Sequence, residues 1–150
     1  MKVLNGVLAG AVAAGLLTGV MAGQAEAATS PVRLYKVVYD PSGKDTHANA
    51  QLNREYVELK NTGKRAVTLT GWTVADTKGH VYHFKSFTLK PGKYVYVHTG
   101  KGTDTAANVF QNRGWYVWNN TTDTVTLRTA AAKKIDTCHW AKGGRGYISC

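Results

Sequence analysis

Two glutamates, Glu55 and Glu58, form the only close pair of acids in the sequence. They sit in an alternating apolar stretch, so side chains three positions apart leave a strand by opposite faces. The two cannot flank one reacting bond, and each is expected to hold a turn or to pair with a nearby Lys or Arg. Asp76 and Asp123 fall at strand boundaries, where short acids bond backbone amides. His47, His80, His83, His98 and His139 show none of the spacings of a zinc site. His98, beside Thr99-Gly100, is the one placed to meet a ligand, and an ordinary surface histidine is the plainer reading. Ser30, Ser42, Ser86 and Ser149 have no Gly-x-Ser-x-Gly context. A phosphate loop and a dinucleotide fingerprint are both absent, and Asp104 alone makes a poor calcium site. The expectation is a protein that is not an enzyme and uses no cofactor or metal.

Aromatic and basic residues offer more. Tyr94 and Tyr96 alternate with Val95 and Val97, so the tyrosines face outward, and Tyr116 and Trp118 are expected to join them. Beside Lys93, Lys101 and Arg113 these rings could stack on bases or sugars while the cations meet phosphate. The plainer alternative is that tyrosines are common on exposed strands and cations solvate surfaces. The formal net charge is +10, which favours polyanions as partners. The cations are scattered over turns, with Lys64-Arg65 and Lys133-Lys134 as the only doublets in the expected exported part. That pattern predicts weak, salt-sensitive binding with little sequence preference.

These groups need elements to position them. Lys2, then an uncharged apolar or small run from Val3 to Met21, then Ala25-Glu26-Ala27, reads as a signal peptide cut after Ala27. Residues 28–150 are then one exported domain, large enough for one core. Lys2 and Glu26 cancel, so the exported part keeps the whole positive excess. Cys138 and Cys150 are the two cysteines, and in an exported chain they are expected to form a disulfide. In the chain-entropy account, closing so short a loop stabilises by roughly 3 kcal/mol.

Period-two alternation marks the strands. Val32–Tyr39, Glu55–Lys60, Ala66–Thr70, His80–Phe84, Tyr94–His98, Asp123–Arg128 and Ile135–Trp140 are the clearest, and Trp115–Trp118 is a short aromatic stretch. At Gly71 the parity flips: Val67 and Leu69 are odd, Trp72 and Val74 even. One strand cannot bury all four, so a bulge, a corner or a change of sheet is expected there. Trp72, Tyr82 and Phe84 are assigned to the core. The stretches 44–53 and 100–112 read as polar loops, and Lys142–Gly146 as a flexible basic loop before the cysteine tail. Eight or nine short strands with regular turn signals predict an all-β, two-sheet sandwich, with a small barrel as the alternative.

Glu55-Tyr-Val-Glu-Leu-Lys-Asn61, Val67-x-Leu69-x-Gly-Trp72, Tyr82-x-Phe84, Phe87-Thr-Leu-Lys-Pro-Gly92, Val117-Trp118 and Asp123-x-Val-x-Leu127 together resemble a lamin-tail domain. The resemblance spans Val32 to Trp140 and implies an immunoglobulin-like β-sandwich. It also implies a binding module, for proteins and DNA in nuclear lamins, and one that is commonly exported in bacterial relatives. The stretch at hand shows no coiled-coil rod and no nuclear signal, so the nuclear partners are not carried over. The functional expectation is an exported, monomeric, non-enzymatic module, at the cell envelope or outside the cell, with affinity for anionic cell-wall polymers. An extracellular nucleic-acid-binding protein is the alternative, and another extracellular protein is a third kind of partner.

Overall fold

The computed structural model describes residues 30–150. The expected signal and its cut after Ala27 lie outside the described residues. Eleven strands and one short helix follow in order: β1 Val32–Val38, α1 Asn49–Leu52, β2 Tyr56–Asn61, β3 Val67–Thr68, β4 Thr73–Ala75, β5 Val81–His83, β6 Thr88–Leu89, β7 Tyr94–His98, β8 Asn108–Phe110, β9 Asp123–Arg128, β10 Lys134–Trp140 and β11 Tyr147–Ser149. One sheet runs β11-β1-β2-β7-β8, a second β10-β9-β4-β5, and β3 pairs with β6 in a small separate ribbon. Every pair is antiparallel except β7–β8. The two large sheets make an immunoglobulin-like sandwich rather than a barrel.

Alternation fills the space between the sheets. Val57, Leu59, Val95 and Val97 point inward from β2 and β7, and Val74, Val125 and Leu127 answer from β4 and β9. Each such fully buried side chain contributes roughly 1.5–3 kcal/mol. Trp72, Tyr82 and Phe84 are core as expected. The inward residues of β1 are Val32, Leu34 and Val37, and the last step is an odd spacing for a strand. The register slips between Leu34 and Lys36, a bulge that lets Leu34 and Val37 point the same way. Gly71 resolves the parity conflict by a change of sheet. It adopts φ +77°, and the chain leaves the β3–β6 ribbon for β4 in the second sheet. A side chain there would suffer twice: the backbone is left-handed, and a Cβ would meet that of Ala130 at 3.0 Å.

Four expectations are corrected. The stretch 44–53 is not wholly irregular, since it contains α1. The stretch 100–112 contains β8, whose parallel pairing with β7 comes from the far side of the loop. The chain does not end its strands at Trp140, because the tail forms β11 on β1. Trp118 does not face outward with Tyr116: it is 2% exposed, and its ring meets Trp140 edge-on at 6.1 Å. The alternation rule fails there because 115–118 is not a strand.

The bridge between Cys138 and Cys150 is present, with Cα atoms 5.7 Å apart. It joins the edge strand of the second sheet to the residue after the edge strand of the first. On the same side the Asp136 carboxylate accepts the Leu34 N–H across the gap at 3.0 Å. The start of β2 and the end of β7 lie together, Tyr56 opposite His98, and the end of β1 joins them, Val38 opposite Tyr56. Most of the long loops gather at this end.

Candidate functional site

The outward face of the five-stranded sheet carries a run of rings. Tyr35 and Tyr94 meet edge-on at 5.2 Å, and Tyr56 and Tyr96 at 5.5 Å. His98 stacks on Phe110 at 5.1 Å. Lysines lie over these rings rather than beside them. The Lys60 ammonium sits 4.9 Å from the Tyr35 centroid and 4.8 Å from that of Tyr94, and Lys36 sits 4.6 Å from that of Tyr147. Such cation–π contacts fix a flexible lysine head without discharging it. The Tyr94 phenol beside it raises the Lys60 pKa further, and Lys60 in turn lowers that of Tyr94. Glu58 is the one acid on the face. Burial raises its pKa, partly offset by the charge of Lys36.

Past Lys36 and Tyr56 the face opens into a cleft of about 570 Å³ at the loop end. Lys36, Arg54 and Arg145 all line it, with Tyr56 and Tyr147 as walls and Asp40 as the only acid. Arg54 is braced by Ser42 Oγ at 2.9 Å and Gln51 Oε1 at 3.3 Å. Gly146 seats the Arg145 loop: its carbonyl accepts the Tyr39 and Asp40 N–H groups at 2.9 and 3.0 Å. Arg54 and Arg145 are exposed and Lys36 is half-buried, so all three can meet a ligand.

Tyr94 and Tyr96 take the outward positions their alternation predicted, both half-buried. Their expected cations do not gather round them. Lys93 precedes β7 at the end away from the cleft, Lys101 follows β7 at the other end, and Arg113 lines a separate groove. The cations on the face are Lys36, Lys60 and, opposite Lys60, Arg33, whose guanidinium folds back onto the Ser30 and Val32 carbonyls; at its end stand Arg54 and Arg145. Parity places Lys60 outward, whereas Lys36 shares the parity of the inward Val32 and Leu34 and is turned outward only by the β1 bulge. Nothing local brings residues 36, 54 and 145 together, since that takes β11 lying on β1. His98 is committed to structure: its ring nitrogens bond the Asn53 carbonyl at 2.7 Å and the Asn108 side chain at 2.8 Å.

The acids are structural too. Glu55 is fully buried, and one carboxylate oxygen accepts from Thr99 Oγ1 at 2.6 Å and from the Val117 N–H at 2.8 Å. The other has no partner among the described residues. Burial pushes its pKa up to about 7, against the pull of those hydrogen bonds. Asp123 accepts from Thr77 and from the backbone of Thr124 and Asn119. Asp76 caps its turn through Lys78 N and His80 N and contacts the His80 ring at 2.5 Å. Among the described residues no three His, Cys, Asp or Glu side chains come together as a metal site needs. No helix among them is long and apolar enough to cross a membrane.

The site is thus a two-sheet immunoglobulin-like sandwich in which Glu55, Asp76 and Asp123 are spent on turns and loops, with cations and rings on one outer face. The chain belongs to the lamin tail domain family: the family model described as Lamin Tail Domain matches residues 25–142. That family is immunoglobulin-like and non-catalytic. No curated protein matches the chain. The disulfide and the absence of a spanning helix among the described residues are compatible with an extracellular location.

Proposed function

We propose that this chain is an exported, non-enzymatic interaction module that holds anionic polymers of the cell envelope. The cleft of Lys36, Arg54 and Arg145 and the lysine-capped tyrosine face are its contact surface. The convergence of three cations from three distant segments on one cleft, opposed by Asp40 alone, carries this reading. Rigid strands hold the face and the loops at its end supply the arginines. Guanidinium groups suit phosphate and carboxylate oxygens, which they engage in pairs. The alternative, nucleic-acid binding by base stacking, has less support. Stacking needs open ring faces, and Lys60 lies over both Tyr35 and Tyr94.

Binding of the oxidised protein to purified cell wall and to double-stranded DNA, across a salt series, tests this. Wall binding should fall steeply with salt, and Arg54→Gln with Arg145→Gln should weaken it and flatten the slope, by about two units if each contact releases one counterion. Unchanged wall binding by that double variant overturns the cleft. DNA binding that survives physiological salt and is lost in Tyr96→Ala favours the nucleic-acid reading instead.

A further inference from the structure

A second groove at the loop end, outside that contact surface, encloses about 560 Å³, within the range of small-ligand sites. Trp115 in its wall is 55% exposed, and the His47 ring packs on it at 3.7 Å. Arg113 uses one guanidinium nitrogen in a long 3.4 Å bond to the Val81 carbonyl. Its Nε is buried with no acceptor among the described residues, and the same holds for the indole N–H of Trp118, which also lines the groove. Lys78 adds an exposed ammonium and Asp45 an exposed carboxylate on the rim. Buried tryptophan N–H groups ordinarily find a partner, so two unpaired buried donors in the lining of one groove, next to an exposed ring, mark it as a polar-lined site that the fold itself has not satisfied.

We propose that this groove binds a carboxylate-bearing sugar unit of an acidic polysaccharide. With His47 packed on one side, the still 55% exposed Trp115 indole offers its remaining surface to the C–H face of a pyranose ring. Arg113 and Lys78 meet its carboxylate, which a guanidinium can hold through two parallel hydrogen bonds. Asp45 accepts sugar hydroxyls. The mixed signs suit this class: an acidic sugar brings hydroxyl donors for Asp45 together with a carboxylate for the cations, whereas a phosphodiester run brings few donors to offset the repulsion from Asp45. The observations are independent of the Lys36–Arg54–Arg145 cleft, and either site can stand without the other.

Titration of the oxidised protein with oligogalacturonate, followed by tryptophan fluorescence, tests the proposal, with the methyl-esterified oligomer and a single-stranded oligonucleotide in parallel. The free acid should bind and shift the emission, and the ester should bind about tenfold more weakly or not at all. Trp115→Ala and Lys78→Gln, both at exposed positions, should each weaken the acid with circular dichroism unchanged. Arg113→Gln should do the same, and the Arg54→Gln, Arg145→Gln pair should leave it as it was. No binding of the acid, equal binding of the ester, or binding indifferent to Trp115 and Lys78 overturns the proposal. Equal binding of the oligonucleotide, lost in Trp115→Ala, would make the groove a base-stacking site and overturn it as well.

Discussion

Glu55 sets a measurable pH dependence on this fold. Its carboxyl is fully buried and its pKa is raised from 4.5 to about 7, mainly by burial. A folded-state pKa above the unfolded one means that the native state holds this proton more tightly. The stabilisation is therefore complete below the unfolded pKa, declines as pH rises, and is gone above the folded pKa. At about 1.4 kcal/mol per pH unit, the span amounts to about 3 kcal/mol. For a domain of this size that corresponds to roughly 10 °C in Tm. Glu55→Gln cannot ionise yet keeps an oxygen to accept from Thr99 Oγ1 and Val117 N. Urea unfolding of both proteins from pH 4 to pH 8 isolates the effect, because every other titrating group, Glu58 included, is common to the two. The variant should match or fall slightly below the parent at acid pH, then gain by about 3 kcal/mol across the neutral range. Parallel stability curves for the two proteins over that range would refute the reasoning.

Two further substitutions probe the frame. Cys150→Ser should lower stability by roughly 3 kcal/mol in urea unfolding, and reducing the parent should reproduce the loss. If oxidised parent and variant unfold at the same urea concentration, the bridge contributes nothing. Asn61 is fully buried and ties three segments: its amide donates to the Arg65 and Leu89 carbonyls at 2.8 and 3.0 Å, and its oxygen accepts Gly63 N at 3.0 Å. Asn61→Ala should therefore cost roughly 3 kcal/mol by stranding buried partners, with thermal unfolding as the check; a Tm within a degree or so of the parent would show that water replaces the side chain.

Where alternation ran for five residues or more the strands were legible, as in β2, β7 and β9, and with them the core. The Gly71 corner was legible for the same reason, because four large apolar residues of mixed parity cannot share one strand face. Three elements were not. β11 offers only Tyr-Ile-Ser after a glycine-rich loop, and its partner β1 lies more than a hundred residues away. β8 has a single inward residue, Val109. Its loop is polar because it caps itself: Asp104 accepts Phe110 N at 3.0 Å and Thr105 Oγ1 accepts Asn108 N at 3.0 Å. α1 is one turn with no side-chain cap and one buried residue, Leu52. The candidate site divides along the same line. Outward tyrosines follow from local periodicity, whereas the clustering of Lys36, Arg54 and Arg145 depends on long-range pairing that no window of sequence contains.

The cross-sheet bridge also decides how the fold would carry a mechanical load. β11 is short and held to β1 by few hydrogen bonds, so tension on the tail alone would unzip it one bond at a time. The sulfur link reroutes that tension from Cys150 into the middle of β10, which pairs with β9 along its length from Lys134 to Trp140. A pull on Cys150 is thus carried by the β10–β9 pairing, and the arginine loop between β10 and β11 lies inside a covalent ring that the bridge shields from that force.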